Sequence, residues 1–78
     1  MVDLKKLVIF LVKSLVSKPE KVNVTDIEES NKRSIMISVD SSDLGKIIGK
    51  EGQTIKAIRA IVRVIAPTGK EIVVDVAK

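Results

Sequence analysis

Two glycines, Gly49 and Gly52, stand between two stretches in which apolar residues recur at the spacing of an α-helix. Residues 44–48 before the glycines and residues 53–66 after them place their apolar side chains three and four positions apart. Glycine ends a helix readily because it adopts a positive φ angle without a steric cost. The chain must therefore reverse within a short turn, and we expect two helices joined by Gly49-Lys50-Glu51-Gly52.

A third helix is predicted near the amino end, over residues 4–17, with Asp3 at the N-cap and Pro19 as its stop. Its spacing predicts a core face made of Leu4, Leu7, Val8, Leu11, Val12 and Leu15. For the helix after Gly52, the predicted core face consists of Ile55, Ile58, Ile61, Val62 and Ile65.

Three segments have the period-two alternation of strands. The first begins at residues 22–24 and decays by residue 29, the second covers residues 34–39, and the third covers residues 72–76 after a stop at Pro67-Thr68-Gly69. The predicted order is α-β-β-α-α-β. We expect an α+β domain, a three-stranded sheet with the helices packed on one face.

Composition excludes several classes of function. The 78 residues include no Cys, His, Trp or Tyr, and Phe10 is the only aromatic residue. Disulfides, zinc fingers, imidazole bases and aromatic stacking platforms are therefore ruled out. We expect a single domain over residues 1–78 that is not an enzyme and holds no metal or cofactor.

The amino end resembles the start of a signal peptide, since Lys5 and Lys6 precede the apolar run 7–12. The run ends at Lys13, which is too short for a signal peptide and far too short for a membrane span. We therefore expect a soluble, cytoplasmic protein without membrane insertion.

Positive charge is concentrated in residues 44–70, which carry six cationic side chains and one carboxylate, in a chain of net charge +4. A solvated helix face is the ordinary explanation of such charges. Their concentration on one element beside two glycines favours a polyanion site instead. Three of the cations share one stripe and two precede it: Lys56, Arg59 and Arg63, and Lys46 and Lys50.

The turn itself is suited to an anion. Glycines let a phosphate chain approach the main chain, and the first turn of the next helix has unpaired N–H groups. A lone Gly-x-x-Gly is weak evidence, because any tight turn between helices can use glycine. A nucleotide-binding loop is rejected, because the spacing is one residue short and Glu51 stands where Ser or Thr would bind Mg²⁺.

The stretch from Asp43 to Gly52, followed by Lys56-Ala57-Ile58-Arg59, resembles the signature of a KH domain. The element order resembles the type II arrangement, and within it the KhpA family of small bacterial RNA-binding proteins. Gln53 stands where such proteins often carry a basic residue.

The resemblance implies binding of single-stranded RNA, with the loop holding about four nucleotides. It implies that the adjacent helix and the strand Ser34–Asp40 form a wall and an aliphatic floor, with bases bonded to the strand backbone. Single-stranded DNA stays open as a ligand, whereas duplex DNA is disfavoured because no recognition helix is visible. The predicted RNA-binding residues are Gly45, Lys46, Ile48, Gly49, Lys50, Glu51, Gly52, Gln53, Lys56 and Arg59.

The helix after Gly52 is also apolar on its outer side, which favours an interface with a second copy. The alternative to an interface is that a few additional apolar residues on this side of the helix are simply exposed to water. The resemblance implies a homodimer, a KhpB-type partner, and a role as an RNA chaperone and in cell shape. A competing hypothesis is a protein-interaction module in cell elongation or division, with RNA binding secondary. The predicted interface residues are Phe10, Ala57, Ala60 and Val64.

Overall fold

A computed structural model describes residues 3–66 and 70–77 of the chain. It contains three α-helices and three β-strands in the order α-β-β-α-α-β, as predicted. Short 3₁₀ turns cover Pro19–Lys21, Ser41–Asp43 and Lys50–Gly52. The helices and strands are α1 (Leu4–Leu15), β1 (Asn23–Glu28), β2 (Lys32–Ser38), α2 (Leu44–Ile48), α3 (Gln53–Ile65) and β3 (Glu71–Val76).

The sheet is mixed, with the strand order β1-β2-β3. β2 pairs antiparallel with β1, so that Val24 lies opposite Ile37, and parallel with β3, so that Ile35 lies opposite Val74. β2 is therefore the central strand, and β3 forms one edge of the sheet. The crossover from β2 to β3 passes through both helices and the turn between them.

The core lies between the sheet and the helices, as the α+β prediction requires. Its side chains are nearly all branched aliphatics, which pack with little loss of rotamer freedom. The buried apolar residues are Leu4, Val8, Val12, Val24, Ile35, Ile37, Ile47, Ile55, Ile58, Val62, Ala66, Val74 and Val76.

α1 begins where the sequence predicts, because the Asp3 carboxylate accepts a hydrogen bond from the Lys6 amide at 3.2 Å. It ends at Leu15, two residues before the predicted end, since Val16 is already extended ahead of Pro19. The predicted α1 core face was too wide. Leu15, the last residue of the helix, is 43% exposed.

β1 continues to Glu28 although its apolar alternation decays. A polar pair replaces an apolar one there: Arg33 Nε donates to Asp26 Oδ1 at 2.9 Å across the two strands. This hydrogen bond lowers the pKa of Asp26 from its usual value and outweighs the opposing effect of burial.

The stop predicted at Pro67-Thr68-Gly69 lies outside the described residues. Within the described ranges, no helix is both long enough and apolar enough to cross a bilayer.

Candidate nucleic-acid interface

The turn between α2 and α3 has an unusual backbone. Gly49 adopts φ 75° and ψ 171°, and Gly52 adopts φ 74° and ψ 15°. Glu51 is also left-handed, with φ 57°. Three of the four residues in the predicted Gly-Lys-Glu-Gly turn thus have a positive φ angle, which makes the bend between the helices sharp and exposes the main chain at its tip.

The glycines of this region have different roles. A Cβ atom on Gly49 would lie 2.2 Å from Thr54 Oγ1, so no side chain fits there. At Gly52 the nearest atom to such a Cβ is Lys56 Cε at 4.0 Å, so a side chain has room there. Glycine is favoured at this position because of its positive φ angle. At Gly45 nothing lies within 4 Å, and the position faces open space.

Several amides of the turn are already used within the protein. The Gly49 amide donates to the Gly45 carbonyl at 2.8 Å and the Gly52 amide donates to the Gly49 carbonyl at 3.1 Å. The Gln53 amide donates to the Lys50 carbonyl. Fewer main-chain amides of the turn are therefore free to bind an anion than the sequence predicted. In the described structure no side chain caps α3, which leaves the positive end of this 13-residue helix directed at the turn.

Cations line a continuous band from the turn along α3. Lys50 is exposed at the tip, and the Lys56 side chain passes beside Gly52. Arg59 and Arg63 follow on α3 and line a groove between that helix and β3. Lys46 lies on α2, on the opposite side of the turn from α3, half-exposed, with its Nζ atom 3.5 Å from Asp43 Oδ1.

The groove between α3 and β3 has a volume of about 260 Å³. Its walls are Arg59 and Arg63 on one side and the strand residues Glu71 to Asp75 on the other. Arg63 was placed on the basic stripe by its spacing but was absent from the predicted site. The helical period was the signal that would have included it.

The prediction that bases form hydrogen bonds with the backbone of the strand Ser34–Asp40 is wrong. β2, which covers most of Ser34–Asp40, lies between two partner strands and its main chain pairs on both sides. It has no free edge to offer a base. The open edge beside α3 belongs to β3. The sequence did not indicate this, because strand order depends on long-range pairing, which apolar alternation does not reveal.

The remaining predicted site residues lie together on α2, the turn and α3. Gly45, Lys50, Glu51 and Gln53 are exposed, and Ile48 is half-buried. Gln53, where a basic residue was expected, adds no charge at the start of α3.

Asp43 is a contact that sequence reasoning missed. It stands at the N-cap position of α2, but its fully buried carboxylate accepts hydrogen bonds from elsewhere: the Ser17 amide at 3.0 Å, the Ser17 hydroxyl at 2.7 Å and the Lys18 amide at 3.0 Å. These bonds, above all that from the Ser17 amide, lower the pKa of Asp43 to about 2. Asp40 caps the preceding 3₁₀ turn, Ser41–Asp43, since it accepts from the Ser42 amide. The Asp43 hydrogen bonds fix the start of α2 to the segment that follows α1.

The outer side of α3 is apolar, as predicted at Ala57, Ala60 and Val64. All three are exposed, and Val64 is 84% exposed. Ile61 and Ile65 were expected in the core but are each 39% exposed, because the sheet and α1 cover a narrower arc of α3 than the helical period suggests. We call these five residues the α3 apolar surface.

A hollow of about 380 Å³ continues the α3 apolar surface towards α1, where Leu11 and Leu15 line it with Ala57 and Ile61. Phe10 is 67% exposed, as its position on the polar side of α1 predicts, but it does not line this hollow. The predicted interface residues therefore divide into the α3 set and an isolated Phe10.

A mixed three-stranded sheet, the order α-β-β-α-α-β and a Gly-x-x-Gly turn between the last two helices define a KH domain of type II. The sequence agrees: residues 5–76 match the family described as KhpA/KhpB, KH domain. The chain belongs to this family.

Curated relatives are similar over most of their length. A Clostridium perfringens protein named RNA-binding protein KhpA is 39% identical over 74 residues, which is 94% of this chain and 99% of the relative. Proteins of the same name are 43% identical in Chlamydia trachomatis, over 81% of each chain, and 32% identical in Thermotoga maritima, over 96% of this chain and 100% of the relative. No solved structure matches the chain significantly.

Proposed function

We propose that this protein binds single-stranded RNA without catalysing a reaction. The observation that carries the proposal is the sharp turn at Gly49–Gly52, placed at the uncapped start of α3 and at one end of a band of cations. The names of the relatives, RNA-binding protein KhpA, support the same ligand.

In the proposed mode of binding, the RNA backbone crosses the turn and the bases enter the groove between α3 and β3. Lys46, Lys50 and Lys56 neutralise phosphates, and the absence of a side chain at Gly52, where nothing lies closer than Lys56 Cε at 4.0 Å, lets the RNA approach the main chain. Bases rest on the aliphatic side chains of β3 rather than on aromatic rings. This arrangement follows the backbone of an unstacked strand, which a duplex does not present.

The test is a double variant of the turn, Lys50→Asp with Glu51→Asp, in the intact protein. We expect it to abolish binding of a fluorescent oligoribonucleotide in anisotropy titrations, because it replaces the Lys50 cation with a carboxylate beside the one already present at position 51. The control is Lys6→Asp, which makes the same change in net charge at an exposed site in α1, about two and a half turns before that helix ends at Leu15. Equal losses in both variants would show that net charge alone, and not the turn, binds RNA.

We further propose that a second copy of the chain covers the α3 apolar surface. Ala57 and Ala60 are small enough to let two helices approach closely, and Val64 projects almost fully into solvent. A KhpB-type KH protein would compete for the same surface. We place the homodimer in the cytoplasm, where it would meet single-stranded RNA. There we propose that it acts in RNA regulation, as an RNA chaperone, and in the control of cell shape.

A further inference from the structure

The outer edge of β3 has main-chain groups that face away from the sheet. The Ala77 amide donates to the Ile37 carbonyl at 2.8 Å, which places the odd-numbered main-chain groups of β3 towards β2. Along a parallel strand these groups alternate between the two sides. Ile72, Val74 and Val76 therefore direct both their N–H and their C=O groups outward, and Ile72 and Val74 lie in the groove beside α3.

Two of these outward groups are occupied by the protein's own side chains. Arg59 Nε donates to the Val74 carbonyl at 2.7 Å, and the Val76 amide donates to Asp75 Oδ1 at 2.8 Å. Arg59 is thereby held along the strand edge, with one terminal nitrogen 3.9 Å from the Asp75 carboxylate. What remains at the Val74 position are donors: the Val74 amide and the other N–H groups of the Arg59 guanidinium.

Nucleobases differ in the exocyclic group that would contact the Val74 position. Uracil and guanine carry a carbonyl oxygen where cytosine and adenine carry an amine. An amine needs an acceptor, and Arg59 already occupies the Val74 carbonyl. The Asp75 side chain is 62% exposed, so an amine gains little there over its hydrogen bonds to water. A keto oxygen, in contrast, accepts from donors that the edge already presents.

We propose that Arg59 makes the Val74 position of the groove between α3 and β3 selective for keto bases, uracil and guanine, over amino bases, cytosine and adenine. The proposal rests on the RNA-binding function proposed above. Arg59 acts by occupying the carbonyl at the Val74 position and by supplying donors beside it.

Two pairs of oligoribonucleotides isolate this difference. Oligouridine and oligocytidine of equal length differ in the keto or amino group and the ring protonation that accompanies it. A pyrimidine strand with one central inosine or one central adenosine repeats the comparison on a purine. We expect the intact protein to bind each keto member about three- to tenfold more tightly, the contribution of one hydrogen bond.

The decisive variant is Arg59→Met, which keeps much of the side-chain length and removes every donor. It frees the Val74 carbonyl, so the keto preference should vanish or reverse. The matched control is Arg63→Met, which removes the same charge from the same groove one turn further along α3. This control should weaken all four ligands equally and preserve the preference.

If Arg59→Met does not fold, the wild-type protein still gives an answer by NMR. The Arg59 Nε–H signal should stay protected when oligouridine is bound, because its bond to Val74 persists. Equal affinity for both members of each pair, preference for the amino member, or a keto preference that survives Arg59→Met would overturn the inference and leave RNA binding intact. Failure of the folded wild-type protein to bind any of the four ligands would overturn the proposed function, and this inference with it.

Discussion

The Thr54 hydroxyl occupies the space in which a side chain at position 49 would begin: an ideal Cβ on Gly49 lies 2.2 Å from Thr54 Oγ1. The Gly49 φ angle of 75° is a second reason why this position favours glycine, since other residues rarely adopt a positive φ angle. The first turn of α3 thus holds the loop in place from behind, and the shape of the proposed RNA site depends on this contact.

Gly49→Ala should therefore destabilise the protein and displace the turn. We expect the free energy of unfolding to fall by about 1–3 kcal/mol, as for other residues forced into a disfavoured backbone region. Urea denaturation followed by circular dichroism measures the change. Thr54→Ala in the same chain should restore only part of it, since the Thr54 amide also lies 2.8 Å from the added Cβ.

Gly45→Ala is the matched control, because its Cβ would meet nothing within 4 Å. It should raise the free energy of unfolding by about 0.5–1 kcal/mol, the gain from replacing glycine inside a helix. If both alanine variants lost stability alike, the role of Thr54 would be refuted.

Asp43 predicts how stability depends on pH. Its pKa is lowered from 3.8 to about 2 in the folded protein, chiefly by the Ser17 amide and hydroxyl. A depressed folded pKa stabilises the native state fully above pH 3.8, and this contribution disappears as the pH falls through about 2. Urea midpoints measured across this window should fall steeply on acidification.

Other carboxyl groups, those of Asp26, Glu28 and Asp40, also have lowered pKa values and add to the acid dependence. Asp43→Asn separates the contributions: it should be less stable at neutral pH, and its midpoint should change less between pH 4 and pH 2 than that of the wild type. Parallel curves for the two proteins would argue against the Asp43 contacts with Ser17 and Lys18.

The band of cations predicts a strong dependence of RNA affinity on salt. If Lys46, Lys50, Lys56 and Arg63 each neutralise one phosphate, the logarithm of the binding constant should fall against the logarithm of salt concentration with a slope of about −3. Lys56→Ala should make the slope shallower by about 0.7. Anisotropy titrations at several salt concentrations measure both, and a flat response would contradict a phosphate-binding band.

The α3 apolar surface predicts the oligomeric state. Val64→Lys should convert a dimer into a monomer, because it places a charge in an apolar contact between two copies. Ile27→Lys is the control, since Ile27 is also exposed, at 55%, but lies on the open face of the sheet. Sedimentation velocity distinguishes the two species, and a wild-type monomer, or dissociation by both variants, would disprove the proposed interface.

Phe10→Ser extends this test to α1. Because Phe10 does not line the hollow between α1 and α3, we expect its loss to leave the mass of the assembly unchanged. Dissociation on Phe10→Ser would enlarge the interface to include the polar side of α1.

The order of elements and the turn at Gly49–Gly52 were predictable from the sequence because both depend on local properties, apolar periodicity and the freedom of glycine. Contacts between distant segments were not. Asp43 meets Ser17 across 26 positions of sequence, and nothing in either residue's neighbours indicates the other. Ile61 and Ile65 show the same limit: the helical period gives the direction of a side chain, but not whether another element covers it.

The open space beside Gly45 has a practical consequence. The chain contains no cysteine, so Gly45→Cys would create a single thiol on α2, one turn before the Gly49–Gly52 loop. A fluorophore attached there would report the arrival of a ligand by its change in emission. The fold thus provides an unobstructed labelling position next to its proposed binding site.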